Sequence, residues 1–263
     1  MSGIASAQYA VIGGTGVYDA SLLENPKEHN IDTKYGQATM TIGTYKNKRI
    51  AFMPRHGKGH SVPPHQVNYK ANMMALYQIG VKHIFSTAAV GSMRLALPPG
   101  VLVIVDQFLD FTKSRPNTFF EDGQGVAHVD MTDPYCKHLR HHLAATARAI
   151  SLPVSYGGTY VCTEGPRFET PAEIRMFAQL GGDVVGMTSV PEVVLAKELG
   201  MCYATVAMVT NFCAGMTGSA LTHQEVLDVM AQNVHHLRNL FFEAFASIKD
   251  ECDCQCSTAA GVM

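Results

Sequence analysis

The 263-residue chain is 47% hydrophobic and 16% charged, against roughly 25% charge in an average soluble domain. That excludes disorder and coiled coil, and it supplies enough apolar material for one large buried core. Lys+Arg 20 against Asp+Glu 22 leaves a net charge of -2, which provides no basic field for nucleic acid or an anionic membrane and makes a small molecule the expected partner.

Tyr9 to Ile12 reads as a buried strand that stops at Gly13-Gly14-Thr15-Gly16, where a ligand can approach backbone amides. Thr39 to Tyr45 and Arg49 to Met53 alternate like a hairpin and deliver the chain into Pro54-Arg55-His56-Gly57. Pro63-Pro64 opens a helical pattern carried by Val67, Ala71, Met74, Ala75 and Ile79, and a strand follows from His83 to Thr87. Val101 to Val105 has the β-branched character of a strand buried on both faces, and Leu139 to Ile150 reads as a helix. After a strand from Tyr156 to Val161, Thr170-Pro171-Ala172-Glu173 is a capping box that starts a helix ending at Gly181-Gly182. Asp183 to Met187 and Cys202 to Val209 read as strands around a helix from Val190 to Leu199, and Thr222 caps a last helix to about Ile248. This alternation predicts a single α/β domain over residues 1–250, with a mixed, largely parallel central sheet flanked by helices and a cysteine-bearing tail over 251–263.

No apolar run reaches the ~18 residues of a membrane span, and the N-terminus lacks the charge and cleavage pattern of a signal peptide, so the expected location is the cytoplasm. Of seven cysteines, Cys136, Cys162, Cys202 and Cys213 are scattered, while Cys252-Asp253-Cys254-Gln255-Cys256 lie close to the end. The tail is open to three readings: no role, redox or disulfide chemistry, and, last in order, metal binding. No metal site is expected from spacing, because Gly57 and Gly59 argue against a helix aiming His56 and His60 at one ion. Gly14-Thr15-Gly16-Val17-Tyr18-Asp19 begins like a dinucleotide fingerprint but carries Asp19 where the third glycine belongs.

Three segments suit an oxyanion: Gly13 to Gly16, Arg55-His56-Gly57-Lys58-Gly59-His60, and Ser86 to Ser92, each read as lying just after a strand. Thr163-Glu164-Gly165-Pro166-Arg167-Phe168-Glu169-Thr170 brings a ring that can stack on a flat heterocycle, and the Asn211 carboxamide suits a base edge. Each segment alone is equally an ordinary turn or helix start.

In their order and spacing these motifs, with Val67-Asn68-Tyr69 and Met187-Thr188-Ser189-Val190-Pro191-Glu192-Val193, resemble the trimeric branch of the purine nucleoside phosphorylase superfamily. Within it the chain is most similar to the methylthioadenosine phosphorylase family. The resemblance implies a homotrimer and reversible phosphorolysis of a purine nucleoside, with phosphate as co-substrate and no organic cofactor. By the same resemblance Thr15, Arg55, His56, Ala88, Ala89 and Thr188 would bind phosphate. Met187 would line the ribose, Phe168 would flank the base, and His60 and His128 would lie near the sugar, His128 across a subunit boundary.

The sequence departs from the methylthioadenosine pattern where the base is read, because Asn211 and Cys213 stand at positions typically occupied by aspartates. An amide donates to a 6-oxo group and accepts from protonated N7, whereas a carboxylate would meet that oxygen acceptor to acceptor. Glu169 is similar to the glutamate that accepts from N1–H in inosine and guanosine phosphorylases, and His223 to a histidine on the 5′-hydroxyl. His56 and Asn211 are therefore the expected catalytic residues and hypoxanthine or guanine the expected base. Action on methylthioinosine or methylthioadenosine remains an alternative, as does a non-catalytic nucleoside-binding protein.

Overall fold

The computed structural model describes residues 6–14, 17, 22–121, 123, 125–217, 222–249 and 253–262. β1 (Tyr9–Gly13) is wholly buried and leads to a meander of β2 (Glu24–Thr33), β3 (Gly36–Tyr45) and β4 (Lys48–Pro54). The paired β3 and β4 match the predicted hairpin, whereas β2 escapes sequence reading because it lies on the sheet edge, mostly exposed, and so lacks apolar alternation.

The helix predicted to open at Pro63-Pro64 starts later. Pro64–Gln66 form a single 3-10 turn, Val67 is extended, and α1 (Tyr69–Gln78) begins where the Asn68 side chain accepts from the Ala71 N–H at 3.0 Å. The Asn68 cap sets the boundary here, and the proline pair belongs to the turn before it.

β5 (His83–Ser92) runs five residues beyond its predicted end at Thr87. The segment expected as an oxyanion loop, Ser86 to Ser92, is therefore strand, held by the parallel neighbour β12 (Cys202–Phe212) along its whole length. β12 also exceeds its prediction, and its register shifts between Val209 and Asn211. Small residues such as Ala88, Ala89 and Gly91 carry little strand propensity, and the buried ladder with β12 overrides it.

β6 (Leu102–Ile104) pairs antiparallel with β12. β7 (Gln107–Phe111) and β8 (Ala127–Val129) precede α2 (Lys137–Ala149). The predicted strand at 156–161 is two strands, β9 (Val154–Tyr156) and β10 (Thr159–Thr163), split at Gly157-Gly158. α3 (Pro171–Gln179) starts at the predicted capping box, with Thr170 accepting from the Glu173 N–H and Glu173 accepting from the Thr170 N–H. β11 (Val184–Gly186), α4 (Ser189–Glu198) and α5 (His223–Ser247) follow, and β13 (Ala260–Val262) pairs antiparallel with β8.

Among the described residues, eleven strands share one mixed, mostly parallel sheet, in the order β2-β3-β4-β1-β5-β11-β10-β7 with β12, β6 and β9 branching from β5. α1 and α4 pack together against one side of the core, and α2 and α5 against the other. α5 buries Leu237, Leu240, Phe241 and Phe245 against this second side, each contributing about 1.5–3 kcal/mol. No helix among the described residues is long and apolar enough to cross a membrane.

The sheet forks at β5. β1 accompanies it only to Ser86, and β11 joins from the opposite direction at Gly91. Between them the Thr87–Val90 edge faces a cavity of about 460 Å³, at the carboxyl ends of β1 and β12. Such a switch point is where open α/β sheets bind ligands.

Candidate active site

Arg55 enters the cavity wall from the end of β4, and its own N–H donates to the Gly13 carbonyl at 3.0 Å. Its side chain is buried and already bonded on several sides. Nε donates to Glu192 Oε1 at 2.6 Å and Nη2 to Glu192 Oε2 at 2.9 Å, while Nη2 also reaches Ser86 Oγ at 2.7 Å and Nη1 the Thr87 carbonyl at 2.8 Å. Tyr203 adds a 2.6 Å hydrogen bond to Glu192 Oε2. Burial opposes the charge on Arg55, but the Glu192 carboxylate outweighs it and holds the guanidinium above its ordinary pKa. The cation thus stays charged, with four of its five donors engaged by the protein.

His56 follows in a loop closed on itself, since the Val62 N–H donates to the His56 carbonyl at 3.0 Å and His56 Nδ1 lies 2.8 Å from the Val62 carbonyl. A carbonyl only accepts, so Nδ1 carries the hydrogen and Nε2 keeps a lone pair. Burial, followed by the Arg55 charge, pushes the ring down to about 4, and it is neutral at pH 7. His60 stacks on it with ring centroids 4.2 Å apart and also lines the cavity. The segment expected to suit an oxyanion thus presents a charged arginine already paired with Glu192 and a neutral imidazole that accepts at Nε2. An oxyanion held here is favoured in a protonated form that can donate to that nitrogen.

The opposite end carries the expected base readers. Phe168, Glu169, Met187, Thr188, Asn211 and Cys213 all line the same cavity. Asn211 Nδ2 donates to the Phe212 carbonyl at 2.9 Å, and the Thr210 hydroxyl donates to Asn211 Oδ1 at 2.9 Å. The carbonyl can only accept, which orients the amide and leaves one N–H and one oxygen lone pair for a ligand. Burial raises the Glu169 carboxyl above its ordinary pKa, and Thr163 Oγ1 donates to Oε1 at 2.6 Å, which leaves the carboxyl with acceptor capacity for a ligand. Burial also pushes the Cys213 thiol up, keeping it neutral beside the amide.

Gly91 makes this packing possible: a Cβ there would stand 2.9 Å from Cys213 Sγ and 3.2 Å from Asn211 Nδ2. Glycine is needed at 91 for close approach, since its backbone is ordinary strand.

Three groups at the site give little or no sequence signal. Glu192 sits in the 187–193 run, yet its pairing with Arg55 needs α4 to meet the loop that follows β4. Arg115, in an irregular stretch before Pro116, donates to the carbonyls of Met187 at 2.6 Å and Glu164 at 2.7 Å and to Tyr69 Oη at 2.9 Å, tying the ends of β10 and β11 to α1. Val226, Leu227 and Met230 of α5 give the cavity an apolar wall. A helical period shows that such residues share a face without showing what that face meets.

Ala88 and Ala89 line the cavity from the strand edge, not from a loop. His128 lies on β8, exposed and outside the residues lining this chain's cavity. Thr15 and the side chain of His223 lie outside the described residues, although His223 does open α5 as predicted. Among the described residues, the one group of His, Cys, Asp or Glu side chains close enough to share an ion is formed by Cys136, Cys202, Cys254 and Cys256. It lies near the opposite end of β12, about 26 Å from Thr210 at strand spacing.

The sequence profile of the Phosphorylase superfamily matches residues 8–246. The chain is 54% identical over 253 residues to a probable 6-oxopurine nucleoside phosphorylase of Moorella thermoacetica, covering 96% of this chain and 97% of the relative. It is 51% identical over 256 residues to the 6-oxopurine nucleoside phosphorylase of Pyrococcus furiosus, covering 95% and 96% of the two chains. A methylthioadenosine phosphorylase from an antarctic soil metagenomic library superposes with a TM-score of 0.91 at 36% identity, covering 97% of this chain and 91% of that one. Fold, cavity and sequence agree, and the chain belongs to the phosphorylase superfamily, as an enzyme of its nucleoside phosphorylase group.

Proposed function

We propose that the protein is a purine nucleoside phosphorylase that cleaves 6-oxopurine nucleosides, inosine and guanosine, reversibly to the free purine and ribose 1-phosphate. The orientation of the Asn211 amide carries this reading: its open N–H meets a 6-oxo oxygen and its open lone pair meets a protonated N7. The Glu169 carboxyl accepts from N1–H, which adenine lacks. The names of the relatives at 51% and 54% identity point the same way.

As the N9–C1′ bond breaks, its electron pair moves into the purine and N7 takes a proton from solvent, and Asn211 holds the resulting base by accepting from N7–H and donating to the 6-oxo oxygen. A phosphate oxygen attacks C1′ from the other face, so no protein nucleophile is required. Phosphate lies along the Thr87–Val90 edge with Arg55, His56, Thr15 and Thr188, where His56 Nε2 accepts its proton. Met187 and His60 flank the sugar, Phe168 covers the base, and His223 meets the 5′-hydroxyl. Phosphate is the co-substrate and no organic cofactor takes part. The enzyme works in the cytoplasm as a homotrimer in which the exposed His128 reaches a neighbour's cavity.

A second reading is favoured by the apolar wall of Val226, Leu227 and Met230, which suits a 5′-methylthio group better than a hydroxyl. S-methyl-5′-thioinosine keeps the same base readers, and kcat/KM for it relative to inosine separates the two. The main reading is tested by base release from inosine with and without phosphate. Release that needs phosphate and yields ribose 1-phosphate supports it; release without phosphate, or none, overturns it.

A further inference from the structure

Four cysteines that the sequence scatters over 120 positions meet at one point. Cys136 is the N-cap of α2, Cys202 opens β12, and Cys254 and Cys256 come from the C-terminal segment. Their sulfurs all lie within 4.8 Å of one another, and Cys202 Sγ is 3.4 Å from Cys254 Sγ. Cys136, Cys202 and Cys256 are buried.

The fold holds all four. The Cys136 N–H donates to the Tyr203 carbonyl at 2.8 Å, which docks the start of α2 on β12. At Gly200, a Cβ would come within 3.3 Å of Ser257 Cα, so the tail lies close against the turn before β12. Beyond it, β13 pairs with β8, which fixes the segment that follows Cys256.

Four sulfurs within 4.8 Å of one another, contributed in pairs by the body and the tail, suit a tetrahedral metal–thiolate centre, in which a metal–sulfur distance of about 2.3 Å sets the sulfurs about 3.8 Å apart. Soft thiolates in that geometry select zinc over the hard divalent cations. α2 adds a favourable field, because its first turn carries no acidic residue and its N-terminus points its amides toward the Cys136 end.

We propose that Cys136, Cys202, Cys254 and Cys256 bind one Zn²⁺ in a closed tetrahedral site that staples the C-terminal segment to the start of β12 and α2. Four S–Zn bonds form as the thiol protons leave to solvent, and no atom changes oxidation state. With four protein ligands no coordination position stays open, so the metal is structural and independent of the nucleoside cavity near the far end of β12.

Elemental analysis of the full chain purified under reducing conditions should find about one zinc per chain. Co²⁺ added to the demetallated, reduced protein should give the visible absorption bands of a tetrahedral thiolate centre. The Cys254→Ser, Cys256→Ser double variant should lose the metal and unfold at a lower temperature than the wild type, while its preference among nucleosides stays unchanged. Two findings would overturn the proposal: a reduced wild-type chain that takes up neither Zn²⁺ nor Co²⁺, or the four sulfurs present as two disulfides in protein isolated from a reducing cytosol.

Discussion

The two ends of the cavity are built on opposite principles. At one end Arg55 is a buried cation whose hydrogen bonds go to Glu192, Ser86 and Thr87, and its neighbour His56 is neutral. At the other end Asn211 uses half of its hydrogen-bonding capacity on the protein and Glu169 part of its own, and both keep the rest for a ligand. The first end derives its stability from internal pairing, and the second derives selectivity from the capacity it keeps open. Mutations at the Arg55 end should therefore act on folding as well as on the use of phosphate, and mutations at the Asn211 end mainly on the choice of base.

The largest expected effect is that of Glu192→Ala, which leaves Arg55 buried without its counter-ion and should cost about 3–5 kcal/mol of stability, read from urea unfolding. A loss under about 1 kcal/mol would mean that the pair is not a buried unit. Next comes pH. The unfolded His56 ring protonates near its ordinary 6.5, but the folded ring only near about 4. Its contribution is therefore complete above pH 6.5 and is lost as pH falls to about 4, amounting to about 3 kcal/mol. In His56→Gln the dependence of unfolding free energy on pH across that window should flatten, and an unchanged slope would reassign the effect to another group.

At the other end, Asn211→Asp should lower the kcat/KM ratio of inosine to adenosine by roughly 10- to 100-fold, the value of about 1–3 kcal/mol for a mispaired buried polar group. An unchanged ratio would remove Asn211 from base reading. Gly91→Ala should have the smallest effect. Its methyl group displaces Asn211 and Cys213, so turnover of inosine should fall about tenfold while stability changes by about 1 kcal/mol. Should stability fall and turnover hold, Gly91 would be a packing residue only.

Much of this division is legible in the sequence at the base end. Phe168, Glu169, Asn211 and Cys213 stand in short motifs next to strand ends, and it is the family resemblance carried by those motifs together that singles them out. The Arg55 end is less legible, because Glu192 acquires its role from a contact 137 positions away. Arg115 is similar, an isolated cation in an irregular stretch whose three anchors come from separate elements. The cysteine cluster is the extreme case: spacing records only Cys254 and Cys256, and the other two sulfurs arrive through α2 and β12. In the fold, buried β12 and the capped α3 read clearly, while the exposed β2 and the small-residue half of β5 depend on neighbours that periodicity does not record.

The most direct test of the account is a comparison of kcat/KM for inosine and adenosine in one assay at saturating phosphate. An oriented Asn211 amide and a Glu169 acceptor together predict a preference for inosine of about 100-fold or more. Equal values, or a preference for adenosine, would contradict it.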